Sequence, residues 1–204
     1  MINLLTPDSA LRHIEQYLGT YETACDGVWL YDPTKFPGSP EINPYSYCIM
    51  RFKDQPIVGV STFITVGACI KELTQEEKKP VCMEFLMCAE SNIESSSVIS
   101  ILIGFTNSAM RLGRAPFNGE VIEWEQPLFE KANFHHLYVS HPIFYDEKLA
   151  LCKEVSPPLI VSELYPLSEL ESSIAVNMGA NFNKIIIEQS LPLWMLDRRD
   201  ELHA

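Results

Sequence analysis

Three clustered histidines are the side chains in this sequence that first suggest a metal site. They are His135, His136 and His141, in the strand-like stretch FHHLYVSH. Alternate residues of a strand share a face, so His135 and His141 would point one way and His136 the other. Six residues along a strand cover roughly 20 Å at about 3.3 Å each, which is too far for one metal ion. We therefore expect neither a metal site nor a cofactor.

A cysteine paired with a histidine is the nucleophilic arrangement that this composition allows. Cys88 or Cys152 with His141 would form the pair, because such residues meet in the fold rather than in the sequence. The sequence has no motif of a serine hydrolase, a zinc protease, a P-loop or a dinucleotide-binding loop. Its six cysteines form no C-x-x-C pair, and most lie in apolar runs, as buried free thiols do. We expect a chain that is not an enzyme, with a Cys/His hydrolase as an alternative.

The balance of charge indicates which partners the chain could bind. Lysine and arginine number 15, aspartate and glutamate number 27, and the net charge is −12. Nucleic acid is an unfavourable partner, because neutralising phosphates needs a basic face. A basic protein is a favourable one, because opposite fields speed encounter. The candidate contact surface is Glu120, Glu123 and Glu125 with Trp124, since aromatic anchors ringed by charge are typical interface centres. Ordinary core packing is the alternative for Trp124.

Length and hydropathy limit the class of protein further. The longest apolar run, residues 98–105, has eight residues, fewer than the roughly 18 that a membrane-spanning helix needs. The first residues lack the basic segment and long apolar stretch of a signal peptide. We expect a protein of the cytoplasm with no membrane partner, folded as a single domain over 1–204.

The elements that must position these residues alternate between strands and helices. Residues 33–44 contain four prolines and predict a surface loop. Val81 to Ala89 is apolar on both faces, which predicts a central strand, and Glu84 within it should be a partnered or peripheral carboxylate. Helices are expected from Thr6 to Gly19, over 95–112, from Ser168 to Gly179 and over 181–189. Strands are expected over 27–31, 45–52, 57–66, 81–89, 120–124, 134–140 and 158–164.

Two corners repeat the same order of an apolar strand, a proline and an acidic, helix-like stretch. They contain Pro142 and Pro166. Asp146 and Glu147 stand where negative charge stabilises a helix start, and Ser168 with Glu171 forms an S-x-x-E capping box. We interpret both corners as architecture. The elements together predict a mixed sheet covered by helices.

The second corner also carries a resemblance to a known family. The segment ELYPLSELESSIAVNMGANFNKIIIE resembles the C-terminal signature of the suppressor-of-fused domain family at Leu164, Tyr165, Pro166, Leu167, Glu171 and Gly179. STFITVGACIKEL and VCMEFLMCAE resemble two of its strands, with Glu84 at the acidic position, and LDRRDE resembles its closing stretch. The resemblance extends over residues 25–202. The segment LGRAPFNGE departs from the W-x-G-H-T-like sequence of many bacterial members.

The resemblance implies an α+β fold, a layered α/β/α domain with a mixed, largely antiparallel sheet flanked by helices, and no known catalysis. In the family, animal members bind a transcription-factor peptide as an added strand between two lobes, and bacterial single-domain members look like immunity proteins. Our leading hypothesis is therefore a bacterial immunity protein that binds and neutralises a basic toxin domain. A scaffold that binds peptides by strand addition at a sheet edge is the alternative.

Overall fold

The computed structural model describes residues 3–29, 46–75, 79–129 and 134–195. The predicted loop at 33–44 and the closing LDRRDE lie outside these ranges. The elements in chain order are β1 (Asn3–Leu4), α1 (Pro7–Leu18), β2 (Glu22–Trp29), β3 (Ser46–Lys53), β4 (Val60–Val66), β5 (Leu73–Thr74), β6 (Pro80–Glu90), α2 (Ser95–Leu112), β7 (Val121–Glu123), β8 (His136–Ser140), β9 (Leu151–Cys152), β10 (Val155–Ser156), β11 (Leu159–Leu167), α3 (Glu169–Met178) and α4 (Phe182–Glu188).

One mixed sheet organises the chain. Its strands follow the order β2-β3-β4-β6-β11-β8-β7, with β5 added to β6 and β9 added to β11. The β6–β11 pair is parallel, and the other described pairs of this sheet are antiparallel. β1 and β10 form a separate parallel pair. The predicted central position of β6 is confirmed, since it lies between β4 and β11.

Helices cover both faces of the sheet, as the predicted α+β layering requires. On one face, side chains of β6 such as Phe85 pack under α2, with the rings of Phe85 and Phe105 5.1 Å apart. On the other face, α1 packs over the β4 end through Ile14, and α3 and α4 pack over Tyr138 and Tyr165. Within the described ranges, no helix combines the length and apolar character needed to cross a membrane.

Local signals in the sequence account for the helix ends. Thr6 caps α1 by accepting the Ser9 N–H at 3.2 Å, and α2 ends at Gly113, whose φ is +64°. The capping box at α3 is formed as predicted. The Ser168 N–H donates to Glu171 Oε2 at 2.8 Å, and the Glu171 N–H donates to Ser168 Oγ at 3.3 Å.

The two proline corners differ from each other. In the first corner β8 ends at Ser140, before Pro142, as predicted, whereas in the second corner Pro166 does not end its strand. Pro166 lies inside β11, where β6 pairing has already ended at Glu163. Leu137, the partner of Pro166 on β8, directs its backbone N–H and C=O groups toward β7. Neither the pairing of β11 with β6 nor its pairing with β8 therefore requires an N–H at Pro166. After Pro142 the chain forms one 3₁₀ turn, Glu147–Ala150, instead of an α-helix. The chain re-enters the sheet at Leu151, which leaves no length for a helix.

A buried amide joins the last helix to the strand that pairs with β7. Asn183 of α4 accepts hydrogen bonds at Oδ1 from the Tyr138 hydroxyl at 2.6 Å and the Ser140 hydroxyl at 3.0 Å. Its Nδ2 donates to Asn118 Oδ1 at 3.1 Å. Asn118 belongs to the turn that leads into β7. This network therefore sets the position of the sheet edge relative to α4.

Candidate protein-binding surface

The short strand β7 forms one edge of the sheet. Gly119 donates its N–H to the Val139 carbonyl, Val139 donates to the Glu120 carbonyl, and Trp124 donates to the His135 carbonyl. Backbone groups of an antiparallel strand alternate between its two sides, so those of Val121 and Glu123 point away from β8. Among the described residues, no strand pairs with that outer side. β7 therefore offers a short edge to which an extended segment could bind.

The predicted acidic residues lie at this edge but in unlike environments. Glu123 and Glu125 are exposed. Glu120 is largely buried, with 12% of its side chain accessible, and forms a two-pronged ion pair with Arg114. Its Oε2 also accepts the Phe117 N–H at 3.1 Å. The charge of Glu120 is thus used inside the chain to hold the turn before β7, whereas Glu123 and Glu125 present their charges outward.

Trp124 lies on the α2 side of the sheet edge. Its ring packs against Gly104, and a Cβ built on that glycine would come 3.0 Å from Trp124 Cζ2. The missing side chain at Gly104 therefore makes room for the indole. Trp124 remains partly exposed while contacting the core under α2. The ring thus combines core packing with an accessible surface, a combination that suits an anchor in an interface.

The opposite side of the edge carries an acid that sequence analysis did not single out. Glu123 pairs across the strands with His136, whose Nδ1 lies 3.8 Å from Glu169 Oε2. Glu169 begins α3, and 84% of its side chain is exposed. The acid lies 46 residues from Glu123 in the sequence, and only the packing of α3 over β7 and β8 brings the two near each other. No local pattern could have predicted this neighbour.

The other edge of the sheet is less suited to accept a strand. The β2–β3 register shifts between Thr23 and Cys25 and again between Cys25 and Val28. Such irregularities twist a strand and discourage regular pairing along its outer side. Glu22 also lies 3.4 Å from Arg51 and 3.1 Å from Lys53, so its charge is partnered within the sheet. We therefore take β7 as the candidate surface.

Glu84 is a buried carboxylate in the centre of the sheet. It accepts a hydrogen bond from the Thr65 hydroxyl at 2.6 Å and from the backbone N–H groups of Gly67 at 2.8 Å and Cys69 at 3.1 Å. Burial outweighs these donors and raises the pKa of Glu84 to about 7. The expectation of a partnered carboxylate is confirmed, and its contacts tie β6 to the end of β4.

Glu163 is a second buried carboxylate, which sequence analysis did not identify. It lies on β11, and its Oε2 accepts the Tyr165 hydroxyl at 2.5 Å. Burial raises the pKa of Glu163 to about 7 as well. The signal for it was the same as for Glu84, a lone acid inside an apolar strand. Both carboxyls lie under packed elements, so they resemble structural acids more than an acid–base pair open to substrate.

The cysteine–histidine pairs suggested by the sequence are not formed. The Cys88 sulfur lies 2.8 Å from the Tyr145 hydroxyl, and burial raises the pKa of this thiol well above its usual range. His141 Nδ1 lies 3.4 Å from Asn183 Nδ2, and burial lowers the pKa of this imidazole. Cys152 packs against an apolar cluster that includes Val155 and Leu159. Within the described part of the chain, no group of three or more acidic, histidine or cysteine side chains could hold a metal ion.

Comparisons with solved structures identify the fold. A suppressor-of-fused homologue from Neisseria gonorrhoeae FA 1090 superimposes with a TM-score of 0.69 at 14% identity, covering 97% of each chain. The chain has a suppressor-of-fused fold. The structure of the Sufu–Fu complex matches with a TM-score of 0.61 at 12% identity, over 94% of this chain and 88% of that one. Drosophila Suppressor of Fused matches at 0.55 and 12% identity, over 77% of this chain and 43% of its own. Neither a protein-family profile nor a curated protein matches the sequence.

The suppressor-of-fused fold explains why the resembling segments lie far apart in the sequence. VCMEFLMCAE forms most of β6, and ELYPL forms the end of β11. These strands are parallel neighbours at the centre of the sheet, with Glu84 opposite Val161 and Leu86 opposite Glu163. A parallel pair needs a long crossover, and here α2, β7 and β8 lie within it. The two segments thus form one structural unit, and β7 lies at the edge that this unit supports.

Proposed function

We propose that this chain is a non-catalytic protein-binding domain that acts as an immunity protein and neutralises a basic toxin domain. The observation that carries the proposal is the sheet edge at β7, where exposed Glu123 and Glu125 flank the partly exposed Trp124. The fold supports it as well, since a protein of the same fold was solved as the Sufu–Fu complex. A cytoplasmic location fits this role.

The charge of the chain suits capture of a basic partner. A net charge of −12 produces an attractive field for a cationic protein over distances near the Debye length, about 8–10 Å at physiological salt. Glu123 and Glu125 would then meet the basic groups of the partner at close range. Charged contacts at the rim of an interface act mainly on the association rate, which salt lowers. We therefore expect binding that weakens as the salt concentration rises.

A peptide-binding scaffold that uses strand addition is the second candidate. The outward backbone groups of Val121 and Glu123 favour it, because an added strand would hydrogen-bond to them. β7 has three residues, so such a strand would make few main-chain bonds and would need side-chain contacts as well. A bound peptide that protects the amides of Val121 and Glu123 from hydrogen exchange would support this mode.

A pull-down of the tagged chain from its own host tests the immunity role. The column is washed at low and then at high salt, and partners are identified by mass spectrometry. We expect one basic toxin domain that salt releases and whose activity the chain inhibits. No stable partner at either salt concentration would contradict tight capture of a toxin.

A charge reversal tests the surface. The double substitution Glu123→Lys and Glu125→Lys should lower the association rate with the identified partner by roughly tenfold at low salt, because it inverts the charge beside the edge. The matched control is Glu15→Lys with Glu154→Lys, which changes the net charge equally at positions on α1 and before β10. Equal rate losses in both double variants would show that the overall field acts and that β7 is not the contact surface.

A further inference from the structure

A short segment crosses the sheet face between α1 and the α3–α4 pair. It comprises residues 141–146, and we call it the strap. It leaves β8 at Ser140 and ends at the 3₁₀ turn before β9. Ile143 and Phe144 pack with the cluster under α3 and α4, whereas Tyr145 packs with the cluster under α1. The strap therefore joins the two halves of this face.

Side chains and backbone of the strap reach the sheet at specific points. The Tyr145 hydroxyl lies 2.6 Å from Thr62 Oγ1 and 2.8 Å from the Cys88 sulfur. The Ile143 N–H donates to the Tyr165 hydroxyl at 3.4 Å, close to the limit for a hydrogen bond. The Phe144 ring meets the Trp194 ring edge-on, with centroids 4.9 Å apart. Two of these polar contacts, with Cys88 and Tyr165, thus end on side chains that lie beside one carboxyl group.

That carboxyl group is Glu163, and its hydrogen bonding is incomplete. Its Oε2 accepts the Tyr165 hydroxyl, whereas its Oε1 is buried without a hydrogen-bond partner of ordinary geometry. Burial raises the pKa of the carboxyl by more than the nearby Cys88 thiol and Ile143 N–H of the strap lower it. A buried carboxylate with so few donors is costly, since desolvation of an ionised acid is large unless it is paired. Glu84 differs because three donors surround its carboxyl. Ionisation should therefore disturb the surroundings of Glu163 more than those of Glu84.

We propose that the strap is a pH-dependent cover, whose release from the sheet is favoured when Glu163 loses its proton. Release admits solvent to the carboxylate and exposes Cys88, whose side chain the Tyr145 hydroxyl otherwise contacts. Phe144 would separate from Trp194 in the same movement. Loss of the proton shifts the equilibrium of the strap toward the open form, and protonation shifts it toward the closed form.

The groups around Glu163 keep their charge while it titrates. Tyr165 on β11, Cys88 on β6 and Tyr145 on the strap face it, and burial raises the pKa of each well above its usual range. Ser140 lies opposite it on β8 and does not ionise. His13 of α1 donates from Nε2 to the Leu149 carbonyl at 3.1 Å, beyond the end of the strap. The strap itself begins at His141, whose Nδ1 lies 3.4 Å from Asn183 Nδ2. Burial lowers the pKa of His141, so this imidazole loses its charge at a lower pH than that at which Glu163 becomes ionised. Glu163 is thus the group under the strap whose charge changes near pH 7.

The difference between the pKa values of Glu163 in the closed and open forms sets the expected size of the pH effect on strap opening. The pKa of Glu163 is about 7 when the strap is closed, and a carboxyl released to solvent has the ordinary value of 4.5. The ratio of open to closed forms should therefore rise roughly 30- to 100-fold between about pH 5 and about pH 8. Opening stays a minor population while the other contacts of the strap persist.

Thiol labelling of the folded chain tests the proposal. The chain is treated with methyl methanethiosulfonate at several pH values, and modification of Cys88 and of Cys69 is quantified separately by mass spectrometry. Each rate is divided by the rate of the same thiol in the urea-unfolded chain, which removes the intrinsic ionisation of the thiol. Cys69 is the matched control, because it is equally buried and lies beside Glu84 away from the strap. We expect the normalised rate of Cys88 to rise with pH by the stated factor and to exceed that of Cys69.

Two variants distinguish strap release from general loosening. Glu163→Gln should remove the pH dependence at Cys88, whereas Glu84→Gln should leave it. Should Glu163→Gln fail to fold, Tyr145→Phe serves instead, since loss of its hydroxyl should raise Cys88 labelling several-fold at every pH and leave Cys69 unchanged. Parallel labelling of Cys88 and Cys69 in every case would mean that both thiols react through global unfolding, and the proposal would be overturned. A pH-independent rate at Cys88 would overturn it as well.

Discussion

Replacing Gly119 with alanine is expected to lower the free energy of unfolding by about 3 kcal/mol or more. The φ angle of this residue is +97°, a region that L-residues with a Cβ rarely adopt. A Cβ at this position would lie 2.3 Å from the Ala180 nitrogen and 2.7 Å from the Gly179 carbonyl carbon. These are backbone atoms of the junction between α3 and α4, so a change of rotamer cannot relieve the clash. Urea unfolding followed by circular dichroism would measure the loss.

Gly113→Ala is the matched control for the conformational part of this effect. Gly113 has a φ of +64°, and no atom lies within 4 Å of a Cβ built on it. Alanine there should cost only the strain of the left-handed conformation, about 1 kcal/mol. If Gly119→Ala lowers the free energy of unfolding more than Gly113→Ala does, the difference is due to the close contact of the turn with the junction of α3 and α4. Equal losses would mean that the turn does not contact the helix junction this closely.

The sequence predicted the fold best where local signals determine an element. The helix at 95–112 was predicted with its observed ends, because an apolar run ends at a glycine suited to a left-handed cap. The α3 capping box was likewise visible in the sequence. The prediction that the strand ends before Pro166 was wrong, because a proline interrupts a strand only where its missing N–H would face a neighbouring strand. Only the register of β6 and β8 with β11 determines that, and it is not a local property.

The candidate surface was predictable only in part. An acidic, Trp-containing segment was visible, and Glu123 and Glu125 are exposed as expected of contact residues. The ion pair of Glu120 with Arg114 and the approach of Glu169 to His136 depend on how the turn and α3 pack. The strap over Glu163 depends on contacts of Tyr145 with Thr62 and Cys88, which lie 83 and 57 positions away from it in the sequence. Contacts between residues this far apart in the sequence cannot be predicted from the hydrophobic periodicity or the composition of one sequence.

Between about pH 4.5 and about pH 7, we expect this chain to lose stability as the pH rises. In the unfolded chain the carboxyls of Glu84 and Glu163 lose their protons near 4.5, whereas burial raises the pKa of both to about 7 in the folded chain. Over this interval the folded state binds more protons than the unfolded state, so raising the pH favours unfolding. Each group should lower the free energy of unfolding by about 3 kcal/mol, since one pKa unit corresponds to about 1.4 kcal/mol. Above pH 7 their contribution becomes constant.

Glutamine variants identify the two acids as the cause. Glu84→Gln and Glu163→Gln should each remove about half of the pH dependence, and the double variant should remove the part that these groups contribute. Urea unfolding at about pH 5 and about pH 8 would measure it, with Glu154→Gln as the control because that side chain is exposed. Both variants should gain stability relative to the wild type at the higher pH, where the wild type has two buried charges. Stability that rises with pH across this interval, or a slope that survives in the double variant, would contradict ionisation of these carboxyls in the folded core.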